Sequence, residues 1–326
     1  MEPWLQRHCG IADLEAWRRL WTAEHLAELP IQVSLAEAFA LPLLARLQRR
    51  VGQGARPILA LNGPVGAGKT SLGRALLQLA PRFGLRLGVA SIDDYYLPWP
   101  QRQRAMAGNP FGVSRVPPGS HDLPLLAESL EGWAAGEPWR LPRFDKRLRG
   151  GEGDRAGMDR VTCEAVVLEG WLLGCKPLGP AGLERAQLFA GAPGAPELTA
   201  RERLWLPHWD EALEAYQPLW RRFEELWLLR PLHWSLPRRW RFQAEARQRR
   251  RRGDSLGEGW LSGAALDRLV RASLCSLPPG PYQDPLASQP GRVVALLDGR
   301  RRCVRCTSGG EAGGDQSSDS SSLSMG

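Results

Sequence analysis

The stretch "GPVGAGKT", residues 63–70, fits the pattern G-x-x-x-x-G-K-[ST] without a mismatch. No other segment restricts the possible fold so strongly. It follows the apolar run "PILALNG" (57–63) and opens a helical pattern from Lys69 to about Leu79, and a strand entering with a helix leaving is the context the pattern requires. Gly63, Gly66 and Gly68 let the backbone turn tightly and aim successive N–H groups at phosphate oxygens, while the helix start adds partial positive charge. Ala67 and Ser71 belong to the same expected nucleotide-binding set. Lys69 should reach the terminal phosphates of a nucleotide such as ATP, and Thr70 should ligate Mg²⁺.

Four further runs read as strands: "LRLGVASI" (85–92), "VTCEAVVLEG" (161–170), "ELWLLRP" (225–231) and "GRVVALLDG" (291–299). Helical patterns at 122–135, 209–224, 237–252 and 263–275 lie between them. This alternation, taken with the glycine pattern, predicts an α/β fold of the P-loop NTPase type: a mainly parallel sheet with helices on both faces and ligands at the carboxyl ends of the strands. Apolar residues Leu35, Phe39, Leu43, Leu44 and Leu47 recur at three- and four-residue spacing. Residues 1–52 are therefore expected to be a helical segment, 53–300 the main domain, and 301–326, rich in Gly, Ser and acids, a disordered tail. Gly/Pro/Arg-rich stretches at 98–121 and 141–160 are expected to be functional loops.

The net charge of +8 comes almost wholly from arginine, since lysine occurs only at 69, 146 and 176. That scarcity excludes a guanine-reading N-K-x-D segment. No stretch reaches the ~20 uninterrupted apolar residues of a membrane span. The start, "MEPWLQRHCGIADLEAW", has neither signal-peptide nor transit-peptide composition, so a cytoplasmic protein without a membrane partner is expected. Six irregularly spaced cysteines read as reduced thiols, including the lone C-x-x-C at 303–306. The histidines have no ligand-like spacing.

"SIDDYYLP" (91–98) ends the second apolar run on two acids, Asp93 and Asp94. At the edge of such a sheet they can stand where a γ-phosphate meets an acceptor hydroxyl, and phosphoryl transfer needs a group to orient or deprotonate that hydroxyl. A solvated strand-to-loop turn is the plainer alternative.

Together with "SIDDYYLP", the segments "NPFGVSRVPPGSHDL" (109–123), "LPRFDKRLRGGEGDR" (141–155), "VVLEGW" (166–171) and "RRWRFQAEARQRRR" (238–251) resemble, in order over roughly residues 55–285, the motifs of plant- and cyanobacterial-type D-glycerate 3-kinase. That family is similar to uridine kinases, phosphoribulokinases and pantothenate kinase. The resemblance implies ATP-dependent phosphorylation of D-glycerate at its 3-hydroxyl, with Asp93 as catalytic base, Asp94 beside it, and Tyr95 where Phe is usual. It implies that Glu169 is the acid that helps hold Mg²⁺. Arg115, His121, Lys146 and Arg155, in the two long stretches, become candidates for the carboxylate of the acceptor. Asp122 matches an acid that touches acceptor hydroxyls in related kinases, yet it also reads as a cap of the helix that follows. Asp145 either binds substrate or pairs with Arg143 or Arg147.

The run "RRWRFQAEARQRRRRG" (238–253) keeps three readings: a solvated basic helix end, a nucleic-acid contact, or a lid over the phosphates. For Arg238, Arg239 and Arg241 the lid is the favoured one. Another small hydroxylated acceptor, a nucleoside or a pantothenate-like compound, is the alternative activity. A P-loop ATPase or nucleic-acid-binding regulator is the alternative class.

Overall fold

The computed structural model describes residues 5–188, 192–252 and 261–308. Its centre is strand β1 (Ile58–Asn62), every residue of which is buried, as expected for a parallel strand covered on both faces. Successive side chains leave opposite faces of a strand, so β1 feeds two cores. Leu59 and Leu61 join Phe39, Leu43, Leu72 and Leu76 on one face. Ile58 and Ala60 join Leu126, Trp133, Leu168 and Trp209 on the other.

Helices α1 (Leu41–Gly52) and α2 (Lys69–Leu79) cover the first face. Helices α3 (Leu123–Ala134) and α4 (Ala200–Ala212) cover the second. Beside β1 in the sheet lie β2 (Leu87–Ser91), β5 (Ala165–Gly170), β6 (Glu225–Pro231), β7 (Val293–Leu297) and β8 (Cys303–Ser308), in the order β2-β5-β1-β6-β7-β8. All pairs are parallel except β7 with β8. Helices α5 (Leu236–Arg252) and α6 (Gly263–Cys275) follow β6.

Three expectations need correction. The stretch 141–160 is no open loop: β3 (Trp139–Asp145) and β4 (Asp154–Val161) form an antiparallel ribbon with a bulge between Arg143 and Phe144. Trp139 and Leu141 anchor it in the core, but β4 is largely exposed and carries no apolar alternation for a reader to detect. The supposed tail begins with β8, which pairs with β7. The rest of it, 309–326, lies outside the described residues. The helix expected at 209–224 is instead α4, ending at Ala212, followed by two short turns, Leu213–Tyr216 and Gln217–Trp220. Among the described residues no helix is long and apolar enough to cross a membrane.

Candidate active site

The strand order brings the chemistry together. β5 lies between β1 and β2, with Leu61 opposite Glu169 on one side and Ser91 opposite Glu169 on the other. Glu169 thus ends the strand flanked by the glycine turn after β1 and the acids after β2. These three strand ends open into one cavity of about 1170 Å³.

In the turn, Gly66 and Gly68 have φ of 77° and 97°, the left-handed region that glycine enters without steric cost. Gly66 is also hemmed in: a Cβ there would lie 2.7 Å from Arg241 N and 2.9 Å from Trp240 Cβ. Lys69 Nζ donates to the carbonyls of Gly63 (2.8 Å) and Pro64 (3.1 Å). Burial lowers its pKa, against the fields of Glu169 and Asp93. Thr70 Oγ1 donates to Glu169 Oε1 at 2.9 Å. Burial raises the Glu169 pKa, with Lys69 opposing. Ala67, Gly68, Lys69, Thr70, Ser71 and Gly66 all line the cavity. Gly63 does not; a Cβ there would meet Leu229 Cβ at 3.0 Å, so it serves close packing at the strand exit.

A tight turn, Ile92–Tyr95, sorts the two aspartates. Asp93 lines the cavity and accepts from Tyr96 Oη (2.9 Å) and Lys146 Nζ (2.8 Å). Burial pushes its pKa up, but the Lys146 ammonium, with smaller help from His121 and the Tyr96 hydroxyl, holds it below the usual carboxylate range. Lys146 is 53% exposed, so water screens part of that field.

Asp94 turns away and accepts from Ser91 N at 3.3 Å as a cap. Burial raises its pKa to about 6, against the Ser91 bond and with the Asp93 charge adding to the rise. Tyr95 is fully buried and its hydroxyl meets Ser129 Oγ at 3.0 Å. Neither Asp94 nor Tyr95 lines the cavity.

Arg115 lines the cavity with Lys146. It is 4% exposed, and its Nη1 is buried without a hydrogen-bond partner. Burial lowers its pKa, opposed by Tyr96 and Asp93. The other loop candidates support the site from behind. His121 stacks on Tyr96 and its Nδ1 lies 2.8 Å from Tyr216 Oη; burial lowers its pKa to about 4. Asp122 caps α3, accepting from Leu125 N at 3.0 Å, and pairs with Arg155. Arg155 also donates to Tyr96 O, and Asp145 pairs with Arg147. None of these four lines the cavity. In this structure they pack, cap and form ion pairs instead.

On α5, Arg241 faces the cavity and pairs with Glu245 at 3.3 Å. Arg238 pairs instead with Asp267 of α6, and Arg239, like Arg238, is absent from the lining. Of the remaining run, Arg247 reaches the cavity, whereas the side chains of Arg249, Arg251 and Arg252 lie outside the described residues. Sequence reading missed Tyr96, Arg147, Arg300 and Arg301, all cavity residues. It also missed Arg102, fully buried, whose guanidinium donates to Leu97 O, Glu152 O and Gly153 O and ties the segment after β2 to the ribbon. Only the "YY" beside the acids gave any signal for Tyr96. Among the described residues no group of three or more His, Cys, Asp or Glu is placed to hold a metal.

No protein-family model matches the chain. The chain is 29% identical over 256 residues to the chloroplastic D-glycerate 3-kinase of Arabidopsis thaliana, covering 73% of this chain and 52% of that protein. It therefore spans about half the length of that relative. It is 28% identical over 218 residues to the uncharacterized kinase mug58 of Schizosaccharomyces pombe, covering 62% and 75%. Among solved structures, D-glycerate 3-kinase from Cryptococcus neoformans superposes with a TM-score of 0.68 at 23% identity, over 84% of this chain and 99% of that one. The YGR205w protein superposes with a TM-score of 0.61 at 23% identity, over 84% and 95%. These likenesses establish the fold as that of a P-loop kinase with a mostly parallel sheet.

Proposed function

We propose that the chain is an ATP-dependent kinase that transfers the γ-phosphoryl group to the 3-hydroxyl of D-glycerate. One observation carries the reading: the Asp93 carboxylate and the glycine turn line the same cavity, with the buried Arg115 guanidinium beside them. The names of two similar proteins, both D-glycerate 3-kinases, support the choice of acceptor.

The residues divide the work as follows. Lys69 and the turn amides hold the β- and γ-phosphates, and the start of α2 adds its dipole. Asp93 orients the acceptor hydroxyl and takes its proton, which ends on an Asp93 oxygen as the O–P bond forms and the bond to ADP breaks. Arg115, together with Lys146, receives the acceptor carboxylate. Arg241 faces the phosphates from α5.

Thr70 Oγ1 and Glu169 suit Mg²⁺, a hard cation that takes one or two protein oxygens and completes its shell with water and phosphate. When bound it would neutralise charge on the transferring phosphoryl group. The six cysteines are free thiols, which fits the reducing cytoplasm we propose for the protein, and imaging a fluorescent fusion tests that address.

The deciding experiment is to supply ATP with D-glycerate, L-glycerate, uridine and pantothenate separately and identify products by ³¹P and ¹H NMR. Formation of 3-phospho-D-glycerate is expected. Phosphorylation of uridine or pantothenate with D-glycerate untouched would refute the proposal.

A further inference from the structure

The turn between β7 and β8 straddles the boundary the sequence suggests between domain and tail, yet it is built to one geometry. Asp298 Oδ1 accepts from the amides of Arg300 (2.8 Å) and Arg302 (2.9 Å), and Arg301 N donates to Asp298 O at 2.8 Å. The turn puts Arg301 at φ 63°, where an L residue with a side chain pays ~1 kcal/mol. Glycine would sit there more easily, so something the side chain does must offset the strain.

That side chain crosses to two other elements at once. Nε donates to Gly66 O at 2.8 Å, and Nη2 donates to Trp240 O at 2.7 Å. The guanidinium also lies over the Trp240 ring, 5.5 Å from its centroid. Trp240 answers by donating its indole N–H to Gly299 O at 3.1 Å. The apex of the phosphate turn, the first part of the basic helix α5 and the β7–β8 turn therefore meet at one fork of donors. A glycine apex has no side chain with which to fix itself, and Gly66 packs directly on the backbone of α5. Its peptide orientation depends on what its carbonyl meets.

We infer that Arg301 is a positioning residue for the nucleotide: by bridging Gly66 O and Trp240 O it holds the apex of the phosphate turn against α5 in the shape that receives the phosphates. A lysine is a poor substitute here, because it must reach both carbonyls from a single nitrogen on a flexible stem, whereas the planar fork meets each with a separate nitrogen, Nε and Nη2.

The inference rests on the kinase reading only in so far as the cavity binds ATP, and titrating the unaltered protein with ATP checks that separately from any acceptor. The test measures ATP affinity by calorimetry for Arg301→Ala and Arg301→Lys. It also records the KM for D-glycerate and the melting temperature of each free protein. Both variants should bind ATP about tenfold more weakly, equal to 1.4 kcal/mol, with the glycerate KM unchanged and a small fall in melting temperature from the lost bridge. Wild-type affinity in the lysine variant would overturn the inference, leaving a charge effect only. So would a fall in melting temperature with both substrates weakened together, which is what a general structural brace gives. If the alanine variant does not fold, the lysine variant decides alone.

Discussion

Replacing Arg115 by methionine should move stability and substrate binding in opposite directions. In the free protein its guanidinium is 4% exposed, with Nη1 unpartnered and a pKa depressed first by burial. A buried charged donor left unmatched costs about 1–3 kcal/mol. Methionine fills a comparable volume without that cost, so the free variant should melt a few degrees higher, at ~2 °C per kcal/mol for a large domain. When the acceptor arrives, its carboxylate supplies the missing partner. A hydrogen bond to a charged group contributes about 1.5–3 kcal/mol, which corresponds to a rise of about 10- to 150-fold in the KM for D-glycerate. The KM for ATP should stay where it was. Differential scanning calorimetry of the free protein and steady-state kinetics with each substrate varied in turn supply both numbers. An unaltered glycerate KM would refute the assignment of Arg115 to the carboxylate, whatever the melting temperature does.

Asp93→Asn should lower kcat by about 10²–10⁴, the usual contribution of a positioned base, while calorimetric ATP affinity is retained; near-normal turnover would remove the base. Thr70→Val should raise the Mg²⁺ concentration giving half-maximal rate by about tenfold, equal to ~1.4 kcal/mol, because the Oγ1 paired with Glu169 is gone; an unmoved Mg²⁺ curve would argue against that site. His121 has its pKa lowered from 6.5 to about 4 by burial. As pH falls below 6.5 the unfolded chain therefore takes up a proton that the folded chain refuses until about 4, and stability is lost across that window. About 2 kcal/mol should disappear between pH 7.5 and 5, and urea titrations of His121→Gln should show a shallower decline than the wild type.

The parallel strands of the sheet and the nucleotide half of the site were legible because both depend on local sequence. A continuous apolar run predicts a strand buried on both faces, and the glycine pattern dictates its own backbone; Lys69, Thr70 and Glu169 line one cavity. The acceptor half depends on which way each loop side chain points, and that is set by packing between distant segments. Arg115, Lys146, Arg155 and His121 are all cations or potential cations in long Gly/Pro-rich stretches, with nothing local to rank them. The ribbon β3–β4 places Lys146 on Asp93 and sends Arg155 to Asp122. The anchors that fix it are Trp139 in the core and Arg102 across the gap. Arg301 was hidden for a related reason, since only the pairing of β8 with β7 carries it back to Gly66.

The two aspartates show how finely such a division can run. Asp93 and Asp94 are adjacent, chemically identical and both partly withdrawn from water, so spacing alone makes them look like a pair. The turn Ile92–Tyr95 rotates successive side chains to different sides, and each carboxyl meets a different neighbour. Asp93 meets an ammonium and a phenol hydroxyl, which stabilise its charged form; Asp94 meets one backbone amide, which does not outweigh burial and the repulsion of Asp93. Two groups with one intrinsic acidity are thereby pushed apart, one held as an anion facing the cavity and the other drawn toward neutrality as a cap. Chemistry with a hydroxyl acceptor needs the first, and the fixed turn that aims it needs the second. Under the proposed reaction, with Asp93 as its base, Asp94 acts through the backbone it holds, and substituting it should disturb the measured glycerate kinase rate only as far as it displaces Asp93.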